Sequence, residues 1–131
     1  MASRRSFAEI LRGVCAERGW EFLPNGVNVK HADGRHQVIQ FELFELEGRE
    51  MVRLISMIGD AGSLSQMKME QALRANMNLA HGALALKDTE LCMTDTLSLE
   101  ESEAGEVDSA LAFIAKLADT YEKLLFGTDQ H

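Results

Sequence analysis

The first apolar pattern in the chain has helical spacing and begins directly after Ser6. Ser6 and Glu9 have the spacing of a capping box, in which each side chain accepts a hydrogen bond from the other residue's backbone amide. Gly19 follows at a position where glycine commonly ends a helix. The apolar stripe consists of Phe7, Ile10, Leu11, Val14 and Cys15. An amphipathic helix from Ser6 to just before Gly19 is therefore predicted.

Strand patterns follow this helix. Trp20–Leu23 is extended or part of a turn, and Val27–Lys30 is a short strand. Gln37–Leu46 alternates between apolar and polar residues until Phe44, after which both faces are apolar. The next strand, Glu50–Met57, is apolar on both sides. Such a strand is either covered on both faces or forms a binding surface.

The second half of the chain predicts a short helix, a hairpin and a long helix. The short helix spans about Ser65–Asn78, and the hairpin strands are Gly82–Leu86 and Leu91–Thr94. Val107–Leu125 keeps helical spacing throughout. The order is α-βββ-α-ββ-α. It predicts a single α+β domain over residues 1–131, in which helices pack against an antiparallel sheet.

Composition narrows the class of protein. The 131 residues are 46% hydrophobic and 26% charged, which is typical of a globular chain. Residues 1–87 carry a net charge of +1 and residues 88–131 carry −9, which together give the formal charge of −8. The acidic final third argues against nucleic acid and anionic membranes as partners.

No apolar run is long enough for a membrane span and no signal-peptide core is present, so a cytoplasmic protein is expected. Cys15 and Cys92 are expected to be buried and reduced.

The polar residues show no catalytic or metal-binding arrangement. His31 and His36 flank a turn, where solvated histidines are far commoner than metal ligands. Acidic pairs such as Glu42 and Glu45 lie in segments that resemble solvated surfaces. The sequence therefore predicts no catalytic residue, no metal site and no cofactor.

Methionine is concentrated in the middle of the chain, and two interpretations are open. Methionine fills irregular cores, and it also suits interfaces that adapt to varied partners. The residues concerned are Met51, Met57, Met67, Met69, Met77 and Met93.

Several ordered motifs resemble the type III secretion chaperones, that is, the Tir chaperones (CesT-like) and their YbjN-like relatives. The motifs are Val52–Gly59, Leu73–Asn78, Gly82–Leu86, Leu97–Leu99 and Ala118–Leu125. The resemblance implies a twisted antiparallel sheet with three helices. It also implies a homodimer through the middle helix and a non-enzymatic role in holding an extended client segment.

Two sets of candidate residues follow from the patterns and the resemblance together. The dimer interface is expected at Met69, Leu73, Asn76, Met77, Leu84 and Leu86. The apolar surface for the client is expected at Ile39, Phe41, Leu43, Phe44, Met51, Ile55 and Met57. The alternative is a YbjN-like regulatory or structural domain that binds a folded partner and has no part in secretion.

Overall fold

A computed structural model describes residues 4–127, with side chains from residue 6 onward. It contains three α-helices and six strands in these residues. Short 3-10 helices, Ala61–Ser63 and Asn76–Asn78, precede and follow the middle helix. The elements are α1 (Arg4–Arg18), β1 (Glu21–Leu23), β2 (Gly26–Lys30), β3 (His36–Leu46), β4 (Arg49–Asp60), α2 (Gln66–Ala75), β5 (Ala83–Lys87), β6 (Glu90–Ser98) and α3 (Ala104–Phe126).

All six strands form one antiparallel sheet in the order β1-β2-β3-β4-β6-β5. The predicted α+β class is confirmed. β3 and β4 form the longest hairpin, and its turn places Glu47 and Gly48 at positive φ, 50° and 80°. Two consecutive positive φ angles favour glycine, which has no Cβ to clash in that conformation.

The main core lies between one face of the sheet and helices α1 and α3. The stripe predicted for α3 is buried along most of the helix, with Val107, Leu111 and Ile114 fully buried, whereas Leu124 near its end is 53% exposed. We call this side the helix face; its central strand residues are Val27, Ile39, Val52, Leu54 and Met93. The opposite side, the second face, carries Glu42, Phe44, Arg53, Ile55 and Thr94.

Helix α2 lies at the β5 end of the sheet. Ser65 is its N-cap, and the Ser65 hydroxyl accepts a hydrogen bond from the Lys68 amide at 3.1 Å. Ala72 is the buried residue of the helix. This position leaves most of the α2 surface exposed.

The structure corrects three sequence-based expectations. The chain is already helical at Arg4, so Ser6 lies inside α1 and is not its N-cap; arginine is a strong helix former. Residues 21–23 form an additional strand, so there are six strands and not five. β6 continues to Ser98, because β4 is long enough to pair with it as far as Met51.

Candidate functional site

A shallow apolar groove of about 160 Å³ lies between α1, the β1–β2 turn and β3. Phe7 of α1 meets Phe41 of β3 edge to face, with the ring centroids 5.9 Å apart. The guanidinium of Arg12 lies 5.2 Å from the centre of the Phe22 ring. We call this feature the β3-edge groove; its lining is Phe7, Ala8, Leu11, Phe22, Leu23, Pro24, Asn25, Phe41 and Leu43.

Beside this groove, part of β3 lacks a neighbouring strand in the described chain. β2 pairs with β3 only from His36 to Gln40, and the last contact is the Phe41 amide donating to the Asn25 carbonyl at 2.9 Å. Backbone groups alternate in direction along an antiparallel strand. The amides and carbonyls of Leu43 and Glu45 therefore point to the same open side as the Phe41 amide.

The predicted client surface is divided between the two faces of the sheet. Ile39 is completely buried in the main core and Ile55 is 4% exposed on the second face, so neither is accessible. This part of the expectation needs correction, since the apolar pattern could not tell core strands from surface strands. Leu43 is exposed, whereas four further residues are half-buried: Phe41 on the helix face, and Phe44, Met51 and Met57 on the second face.

The second face carries an ion network that joins distant strands. Glu42 of β3 binds Arg53 of β4 and Lys87 of β5, each at 2.9 Å. Three strand spacings separate β3 from β5, about 14 Å in a flat sheet, so this contact requires the sheet to curl. The Arg53 guanidinium also covers the Phe44 ring at 4.3 Å. Lys87 and then Arg53 lower the pKa of Glu42, and Glu42 raises the pKa of Lys87.

The predicted dimer interface separates into inner and outer residues. Leu84 is buried, and its backbone is occupied by the Asn76 side chain. Asn76 Nδ2 donates to the Leu84 carbonyl at 3.1 Å, while the Leu84 amide donates to Asn76 Oδ1 at 2.7 Å. Met69 is half-buried. Leu73, Met77 and Leu86 are 66%, 87% and 54% exposed, so they form the accessible part of the predicted set.

Residues 4–127 contain no group of three or more His, Cys, Asp or Glu side chains arranged to hold a metal ion. None of the described helices has the length and apolar character needed to cross a membrane. Cys15 and Cys92 are buried and unpaired, as expected, and burial raises the pKa of both thiols. A raised pKa reduces the reactive thiolate fraction.

No protein-family model matches the chain, and no curated protein matches it. Solved structures do match. A chain of the ExsC–ExsE complex superimposes with a TM-score of 0.68 at 12% identity, covering 95% of this chain and 97% of that one. A chain of the complex of the Yersinia pestis type III secretion chaperone SycH with a stable fragment of YscM2 superimposes with a TM-score of 0.58 at 18% identity. The match covers 88% of this chain and 98% of that one. A chain of the ExoU–SpcU complex of the Pseudomonas aeruginosa type III secretion system has a TM-score of 0.60 at 18% identity, and the match covers 88% of this chain and 98% of that one.

The chain has the type III secretion chaperone fold. The likeness extends over nearly the whole chain, which agrees with the motifs from Val52 to Leu125 that resembled these chaperones. Identities of 10–18% show a shared backbone arrangement and not a shared set of side chains.

Sequence reasoning found the β3 residues of the β3-edge groove, Phe41 and Leu43, but it missed the residues that α1 and the β1–β2 hairpin contribute. Phe7 and Leu11 were recognised only as a helical stripe, and they also line the groove from α1. Phe22 follows the helix in a segment too short to show alternation. The available signal was Pro24, because proline removes a backbone donor and ends strand pairing. Because the β1–β2 turn contains Pro24 and Asn25, β2 begins only at Gly26 and leaves the part of β3 beyond Phe41 uncovered.

Proposed function

We propose that this protein is a non-enzymatic chaperone that holds an extended segment of a client protein. One observation carries the proposal: an unpaired stretch of β3 lies directly beside an apolar groove. The fold supports it, since the neighbours include the chaperone SycH in complex with a fragment of YscM2 and the HopA1–SchA chaperone–effector complex. An effector-like client in the cytoplasm is the form of the proposal that the resemblance favours.

The binding mode is strand addition to β3. An extended client segment pairs with the outward backbone groups of Leu43 and Glu45, while alternate client side chains enter the β3-edge groove. Each hydrogen bond contributes about 0.5–1.5 kcal/mol net. Apolar burial adds about 25 cal/mol per Å², from which the cost of ordering the segment is subtracted. This mode of binding needs no nucleotide and no metal.

Strand addition is tested with two synthetic seven-residue peptides that carry leucine at alternate positions. The second peptide is N-methylated at alternate residues, so it keeps its side chains and loses the donors that would pair with β3. NMR titration should show binding of the first peptide, with shifts at Leu43 and Glu45, and at least tenfold weaker binding of the second. Equal affinities for the two peptides would rule out strand addition.

A matched pair of substitutions locates the site on the correct face. Leu43 and Val38 lie on the same strand with nearly equal exposure, 42% and 44%, but on opposite faces. Leu43→Glu places a charge at the groove and should abolish binding of the unmethylated peptide. Val38→Glu should leave its affinity within about twofold, because the substitution adds the same charge on the second face.

We also propose a homodimer, through the exposed residues Leu73 and Met77 of the middle segment and Leu86 of β5. The large exposure of these side chains supports the proposal, since a two-fold axis would bury identical apolar patches against each other. Light scattering should give twice the monomer mass of 14.5 kDa for the wild type. The double variant Leu73→Glu/Met77→Glu should be monomeric, and a variant that remains dimeric would place the interface elsewhere.

A second candidate is the YbjN-like role, in which the domain binds a folded partner. The same exposed side chains of Leu73 and Met77 favour it, because they lie on a helix and do not adjoin a free strand edge. A monomeric wild type that binds neither peptide would support this role over the chaperone.

A further inference from the structure

A second groove, much larger than the first, lies where the start of α3 passes the end of β6. Its volume is about 560 Å³. Leu97, Ala110 and Phe113 give it an apolar wall and are all half-buried. Asp95, Glu103 and Glu106 place carboxylates around the same space. We call this feature the α3 groove.

The position of Asp95 is unusual for a charged residue. It lies opposite Leu54 in the β4–β6 ladder, on the helix face of the sheet, where Leu54 and Met93 are fully buried. Its Oδ1 accepts a hydrogen bond from the Thr96 amide at 2.9 Å. A half-buried carboxylate beside buried apolar side chains is costly unless a partner compensates its charge.

The carboxylates of the α3 groove have no cationic partner in the described chain. Other acidic side chains of this protein are paired, for example Asp119 with Arg35 at 2.9 Å and Glu101 with Arg49 at 2.8 Å. Asp95, Glu103 and Glu106 form no ion pair with any residue from 6 to 127, and no lysine or arginine lines the groove. The helix N-terminus contributes only about +0.5 charge, which three carboxylates exceed. The side chains that line the groove therefore carry a net negative charge.

An aromatic ring completes the recognition chemistry. Phe113 lies in the wall of the groove, and the ring of His81 meets it edge-on, with the centroids 6.1 Å apart. Both rings line the groove. Arginine suits such a place, because its aliphatic stem covers apolar surface while its guanidinium stacks on an aromatic ring and binds carboxylates.

We propose that the α3 groove is a docking site for a basic part of the client, anchored by an arginine side chain. The arginine stem packs on Leu97 and Ala110, and its guanidinium lies between Phe113 and the carboxylates. This inference rests on the proposed chaperone function, but it concerns a different surface from the β3-edge groove. It also gives a role to the charge of −9 in residues 88–131, which attracts a basic segment before contact.

The probes are two synthetic eight-residue peptides, Leu-Ala-Arg-Leu-Ala-Arg-Leu-Ala and the same sequence with citrulline at both arginine positions. Citrulline keeps the shape of arginine and removes its charge. In NMR titrations at 50 mM salt, the arginine peptide should shift the amides of Leu97, Ala110 and Phe113. The citrulline peptide should bind at least about tenfold more weakly. Raising the salt concentration to 300 mM should weaken the binding of the arginine peptide and leave that of the citrulline peptide unchanged, because salt screens the attraction between charges.

Two double variants separate a specific site from general attraction. Asp95→Asn/Glu106→Gln removes two charges from the groove, and Glu47→Gln/Glu90→Gln removes two charges from the tips of hairpins. The first should weaken binding of the arginine peptide at least about tenfold, and the second less than about twofold. Equal losses in both variants, equal binding of the two peptides, or no shift at the groove would overturn the proposal. Failure of this test is distinguishable from failure of strand addition, because strand addition is measured by the NMR shifts of Leu43 and Glu45 in the β3-edge groove.

Discussion

Replacing Asn76 by alanine should destabilise the domain and expose the outer edge of β5. The Asn76 side chain makes both hydrogen bonds that a neighbouring strand would make to Leu84, at 3.1 Å and 2.7 Å. Each contributes about 0.5–1.5 kcal/mol net, so alanine should cost about 1–3 kcal/mol. The upper part of this range applies because Leu84 is buried, which limits replacement of the lost partners by water.

Asn76→Asp removes one of the two hydrogen bonds and keeps the other. Aspartate keeps an oxygen that accepts from the Leu84 amide, but it loses the amide donor and turns a carboxylate oxygen toward the Leu84 carbonyl. It should therefore also destabilise the domain. Asn78→Ala is the matched control, because Asn78 is exposed in the same 3-10 helix.

Urea denaturation of the wild type and the three variants measures the free energy of unfolding. Amide hydrogen exchange at Leu84 provides the local readout, and it should accelerate in Asn76→Ala but not in Asn78→Ala. If the free energies of unfolding of Asn76→Ala and Asn78→Ala agree within about 0.3 kcal/mol and the Leu84 amide stays protected from exchange, the side chain of Asn76 does not cap β5. Light scattering should additionally show concentration-dependent association of Asn76→Ala, because an exposed strand edge pairs with other chains.

Three further outcomes are expected. Leu111→Ala should lower the free energy of unfolding by about 2–5 kcal/mol, measured in urea, because Leu111 is fully buried in the main core. Gly59→Val should lower the melting temperature, since a Cβ at this position would lie 2.8 Å from the Phe126 ring; an unchanged melting temperature would show that the ring can move away. The pKa of Glu42 is lowered in the folded state, so its stabilising effect is present at neutral pH and is lost as pH falls through that pKa. Glu42→Gln should therefore melt below the wild type at pH 7, and the difference in melting temperature should shrink as the pH falls below the ordinary pKa of glutamate and disappear once the pH is below the lowered pKa of Glu42.

The elements that sequence reasoning placed well are those whose pattern is complete in itself. α3 repeats its apolar residues over many turns, and Glu47 and Gly48 form a turn between the predicted strands Gln37–Leu46 and Glu50–Met57. β1 has only three residues, and its structure depends on pairing with β2, which no local pattern reveals.

The candidate sites were harder to predict, because they depend on which surface covers which residue. Asn76 lies in the predicted middle helix, on the same stripe as Met69, Leu73 and Met77, and that much could be seen in the sequence. Whether the stripe meets a second copy or the chain's own β5 depends on tertiary structure. Likewise, Ile39 and Leu43 alternate in phase on β3, yet one is fully buried and the other is 42% exposed, because β2 and the helices cover only part of the strand.

The two edges of the sheet explain why a client strand would add at one place. At the β5 edge, Asn76 already occupies the backbone of Leu84, so a pairing strand would first have to displace that side chain. At the other edge, β1 is only three residues long and ends just before Pro24, which limits pairing there. Leu43 and Glu45 of β3 remain, beyond the reach of β2 and next to an apolar groove. Long unpaired edges promote aggregation, and proteins usually cover them. An open edge next to side-chain pockets is suited to holding an extended segment, and the Asn76 cap on Leu84 reduces pairing between copies that would compete with the client.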